Sequence, residues 1–77
     1  MKKYLVFNNS DHQRLCIDPS TIIAMEEISM KNMNTKGLFH TLIYCSGRTE
    51  PFSVRENITS IIADLKQLGA AEFVDVK

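Results

Sequence analysis

One stretch of this chain alone keeps a clear helical spacing of apolar residues, and the segments around it look like strands. In that stretch Ile58, Ile61, Ile62, Leu65 and Leu68 follow one another at +3, +1, +3 and +3. That spacing puts all five on one stripe of an α-helix. Ser53 and Glu56 ahead of it match a capping box, in which hydroxyl and carboxylate each satisfy an orphan backbone N–H. Gly69 behind it is the residue best able to take the left-handed C′ conformation. The pattern predicts a helix over residues 54–68.

The remaining segments read as strands. Lys3 to Phe7 is aromatic and β-branched, and a turn over Asn8-Asn9-Ser10-Asp11 leads to a second strand, His12 to Ile17. Pro19 ends this hairpin, and a short helical turn starting there takes Asp18 as its cap. Ile22 to Met30 fits neither period cleanly. It is read as a strand because a helix would need a better stop than Met30-Lys31. Lys31 to Gly37 is a polar loop. Leu38 to Cys45 is apolar on both alternating faces, as a central strand covered on both sides would be. Ser46-Gly47 marks a turn into a fifth strand over residues 48–53, where Pro51 points to an edge or a bulge. Glu72 to Val76 reads as a last short strand. The expected fold class is α+β: a mainly antiparallel sheet of about five to six strands, with one covering helix. Asp introduced at Ile61 or Leu65 is expected to unfold it.

With 77 residues the chain forms one domain, residues 1–77, with a small core and no linker or repeat. Its composition is that of a globular protein, and nine basic residues balance nine acidic ones. Nucleic-acid binders usually carry a basic excess or a basic face, so the balance leaves only local patches as DNA contacts. The apolar run Tyr4 to Phe7 is too short for a signal-peptide core or a membrane span, so a cytoplasmic location without membrane contact is expected. Cys16 and Cys45 are then expected to be reduced, half-buried apolar residues.

The chemistry-bearing residues do not assemble into a reactive set. His12-x-x-x-Cys16 and His40-x-x-x-x-Cys45 suggest a metal site. Residues four apart on an extended strand, however, lie about 13 Å from each other, while zinc ligands all lie about 2 Å from the ion. No nucleophile elbow or glycine-rich phosphate loop is present. Glu26 and Glu27 would face opposite ways on a strand. The expectation is a binding protein and not an enzyme, with no metal, cofactor or small-molecule substrate. Two surfaces are candidates. Lys31 and Lys36 in one loop, with Arg48 and Arg55 flanking the fifth strand, make two small positive patches suited to phosphate contacts. Phe73 and Val74 in the last strand offer an edge for a homodimer or for a partner strand.

The order of features resembles a known family. Leu15-Cys16-Ile17-Asp18-Pro19-Ser20-Thr21-Ile22-Ile23-Ala24-Met25-Glu26-Glu27 looks like the opening of a LytTR-type domain: a strand, a short turn and an I-x-x-I-E strand. Thr41 to Arg48 resembles that family's strand and hairpin, the helix from Ser53 to Leu68 stands where the family has one, and Ala71 to Val76 is similar to its following F-x-R-v strand. The resemblance covers about Leu15 to Val76. It implies a DNA-binding module of bacterial transcription regulation, truncated ahead of the family's His-Arg-Ser and Asn strands. Asp75 stands where the family favours a basic residue, and no DNA-contacting residue of the family maps onto this chain. Small FlbD-like proteins associated with flagella are similar in the Ile-x-x-Ile-Glu strand, the hairpin, the helix and the length. That second resemblance implies an assembly or interaction factor.

Overall fold

A computed structural model describes residues 1–9, 12–28 and 40–76. The expected loop lysines, Lys31 and Lys36, lie outside the described residues, as do the ends of the strands expected over 22–30 and 38–45. The elements run β1 (Leu5–Asn8), β2 (Arg14–Ile17), a 3₁₀ turn (Pro19–Thr21), β3 (Ile22–Ile28), β4 (His40–Cys45), β5 (Phe52–Val54) and α1 (Ile58–Leu68). The fold is α+β, with five strands and one α-helix among the described residues.

The strands form two antiparallel sheets and not one. β1 and β2 make a hairpin, with Leu5 opposite Ile17 and Phe7 opposite Leu15. The second sheet has the order β3-β4-β5. The sheets meet where Asn9 bridges Val54 and the Arg55 N–H donates to the Asn8 carbonyl at 3.0 Å. α1 packs over the shared inner face. Leu5, Phe7, Ile17, Ile43, Cys45, Val54, Ile61 and Leu65 form one buried cluster drawn from both sheets and the helix.

β4 is central, as its apolar run suggests. Its Thr41, Ile43 and Cys45 are buried, but Leu42 and Tyr44 on the other face are only half-buried. A single helix covers one face of a sheet, so the expectation of cover on both sides is corrected. β3 explains its own unclean period. The register shifts between Ile22 and Ala24, which leaves Ile23 as the extra residue of a bulge, 71% exposed. With one residue bulged out, Ile22 opposite Cys45 and Met25 opposite Ile43 both face the core, though strict alternation would set them on opposite faces.

The helix starts four residues later than its sequence suggests. Ser53 and Val54 are taken up in β5, opposite Leu42 and Thr41, and Val54 is wholly buried there. The cap is Asn57, whose side-chain oxygen accepts from the Ser60 N–H at 2.8 Å. Both sites offer a good capping residue. Strand pairing removes the first and leaves the second. At the other end Gly69 takes φ 71°, and the N–H groups of Gly69 and Ala70 donate to the carbonyls of Lys66 and Leu65. This is a Schellman termination. Residues 72–76 do not form the expected strand: among the described residues they have no ladder partner, and Val74 and Val76 are exposed. His12 also leaves the strand expected of it. It sits in the hairpin loop at φ 64°, a left-handed conformation uncommon for a side-chain-bearing residue.

Candidate interaction site

Arg48 and Arg55 do flank β5, and each is held by a neighbour. The Arg48 guanidinium lies 3.9 Å from the centre of the Phe52 ring, and its Nε donates to the Glu50 carbonyl at 3.2 Å. Arg55 is half-buried, and its Nη1 lies 3.0 and 2.8 Å from the two ring nitrogens of His12. A guanidinium can only donate, so the contact needs an imidazole nitrogen with a free lone pair. The two arginines are thus fixed at opposite ends of one short strand, on separate partners.

Phe73 and Val74 lie on an irregular segment and not on a strand edge. Phe73 turns toward the start of β3, where it lines a cavity of about 270 Å³ together with Pro19, Ile22, Met25, Leu65 and Ala71. Val74 points away into solvent, 82% exposed.

The edge that the structure does open belongs to β1. The Asn9 N–H donates to the Gln13 carbonyl at 2.8 Å, while the Gln13 N–H turns to the Asn9 side-chain oxygen at 2.9 Å, so Asn9 and Gln13 stand at a hydrogen-bonded position of the ladder. Such pairs alternate along an antiparallel ladder, so Phe7–Leu15 and Leu5–Ile17 are of the same kind. The main-chain groups of Asn8 and Val6 therefore point away from β2, as does the Tyr4 carbonyl, which lies opposite the Leu5 N–H across one planar peptide. The Asn8 carbonyl is taken by Arg55. Tyr4 and Val6 face a groove of about 360 Å³ between β1 and α1, lined by Lys3, Leu5, Asp64, Gln67 and Leu68 as well. Their side chains, 53% and 51% exposed, stand on the outer face of the hairpin. Sequence reasoning missed this edge. The signal was there: two apolar residues, Tyr4 and Val6, on the face of a hairpin strand that solvent would otherwise make polar.

The stretch leading into β1 is anchored. Lys2 Nζ lies 2.7 Å from the Asp18 carboxylate and 5.6 Å from the centre of the Tyr4 ring. The Lys2 ammonium, with help from the Ser20 hydroxyl and N–H, lowers the Asp18 pKa to about 2, and Asp18 in turn raises that of Lys2. Glu26 accepts from the Tyr44 hydroxyl at 2.9 Å, which raises the Tyr44 pKa.

Neither cysteine is half-buried. Cys16 is exposed beside Val6 on the outer face, and Cys45 is in the core; both are free thiols. Among the described residues, no three of His, Cys, Asp and Glu gather as metal ligands would, and no helix is long and apolar enough to cross a membrane. No protein-family model, curated protein or solved structure matches the chain.

Proposed function

We propose that this chain is a small, non-enzymatic interaction module that docks an extended protein segment on the free edge of β1. The observation that carries the reading is the row of outward main-chain groups at Tyr4 and Val6, beside the groove that α1 borders. An exposed edge is a template for strand addition, in which main-chain bonds supply affinity and neighbouring pockets supply selectivity. The reading agrees with the assembly role that the FlbD-like resemblance implies. It moves the pairing surface from Phe73 and Val74 to β1.

A second reading is favoured by Arg48 and Arg55, fixed at the two ends of β5. With Lys31 and Lys36 they would give phosphate contacts for a LytTR-like module acting on DNA in transcription regulation. Its weakness is charge: the chain has no basic excess, and affinity for duplex DNA rests mainly on phosphate neutralisation.

One pair of measurements separates the two. Peptides selected from a random display library should bind the wild type and lose at least about tenfold with Val6→Pro, which removes an edge donor while sparing the β2 ladder. Fluorescence anisotropy on mixed duplex DNA at low salt should show no binding. DNA binding that weakens steeply with salt and is abolished by Arg48→Glu with Arg55→Glu would overturn the first reading in favour of the second.

A further inference from the structure

We propose that the segment received by β1 is the β1 of a second copy of this chain, paired antiparallel about a two-fold axis at Leu5. This rests on the strand-edge reading and names its partner.

The available edge is short, and its shortness sets the register. Main-chain groups point outward at Tyr4, Val6 and Asn8, but the Asn8 carbonyl already takes the Arg55 N–H. A pairing centred on Val6 would set Tyr4 against Asn8, where one partner is occupied. A pairing centred on Leu5 sets Tyr4 against Val6 twice, once in each direction, and uses only groups that are free to pair. In an antiparallel ladder these become the two hydrogen-bonded pairs, with Leu5 facing Leu5 between them as the non-hydrogen-bonded pair.

The side chains answer one another in the same register. Tyr4 and Val6 both stand exposed on the outer face, so each Tyr4 ring would lie on the partner's Val6. Aromatic residues opposite β-branched ones are among the favourable cross-strand pairs. On the helix side, Lys3 and Asp64 line the same groove with opposite charges. In this register the Lys3 of one copy falls opposite Phe7 of the other, on the side that the other copy's α1 borders. A heterologous peptide would need this alternation by chance, whereas a second copy carries it by symmetry. The contact is small beside the roughly 800 Å² per partner of stable interfaces, so the dimer should dissociate on dilution.

Sedimentation equilibrium should show the mass rising from one copy to two between about 1 µM and 1 mM, the range of a weak interface. In a mixture of labelled and unlabelled chains, nuclear Overhauser contacts should link the Tyr4 ring of one copy to the Val6 methyls of the other. Val6→Pro should weaken association at least tenfold. Tyr4→Lys, which keeps every backbone donor, should do the same should Val6→Pro fail to fold. A monomer at 1 mM, or a dimer without the Tyr4–Val6 contact, overturns the inference. If such a chain still binds displayed peptides in a Val6-dependent way, the strand-edge reading stands and only the second copy is wrong. If it binds none, both fall.

Discussion

Asp18 is the residue on which three local structures converge. It caps the 3₁₀ turn through the Ser20 N–H, accepts from the Ser20 hydroxyl at 2.8 Å, and pairs with Lys2 at the entry to β1. All three interactions favour the ionised carboxylate, and the pKa falls from its ordinary 3.8 to about 2. Between those values the unfolded chain binds more protons than the folded one. The stabilisation from Asp18 is therefore complete above about pH 4 and is lost as pH falls toward 2. Thermal melts across that range should show wild type and Asp18→Asn converging as the pH drops, with the variant melting lower at neutral pH. A constant gap between the two curves would show that the carboxylate's charge is not what matters. Asp18 as a cap was legible from Asp18-Pro19 alone, because the proline fixes the turn. Its ion pair with Lys2 was not, since it depends on β1 and β2 being in register. His12 was misplaced for a related reason: nothing in a histidine announces a positive φ.

At the scale of elements, the helix start is the instructive case. Ser53-x-x-Glu56 and Asn57 compete as caps within five residues, and local chemistry cannot choose between them. The choice falls to Val54, which is more valuable in the core opposite Thr41 than on the first turn of a helix. Thr41 reinforces the result by donating its hydroxyl to the Glu56 carbonyl at 2.8 Å, which holds the chain at the turn into α1. Asn57→Ala should therefore cost about 1 kcal/mol in chemical denaturation. Glu56→Ala should change stability by less than about 0.5 kcal/mol, because its side chain is exposed and caps nothing. The reverse ranking would restore the capping box. The bulge in β3 carries the same lesson. Its sequence shows two broken periods because one residue, Ile23, belongs to neither face. The strand expected over 72–76 failed because β-propensity describes fitness for a sheet and not the presence of a neighbour to pair with.

For the molecule as a whole, the core is small and shared. Ile61 and Leu65 are the two helix residues in the buried cluster, Leu68 packs against it half-buried, and Ile58 and Ile62 are half-buried without being part of it. Ile61→Ala should cost about 2–5 kcal/mol, a large part of the about 5–15 kcal/mol that holds a domain together. Ile62→Ala should cost less than half as much by urea denaturation. Equal losses would show that the helix is seated differently. The stripe, the α+β class and the central β4 were legible because periodicity reports burial directly. The division into two sheets and the free edge of β1 were not, because pairing partners lie far apart in sequence. The joint between those sheets, Asn9 to Val54, has a consequence in time. The β1–β2 hairpin closes a short loop, and hairpins form in about 1–10 µs. The joint must bring together segments more than forty residues apart, and contacts of such separation slow folding. The hairpin thus has the means to form early and wait, leaving the arrival of β5 and α1 to set the folding rate.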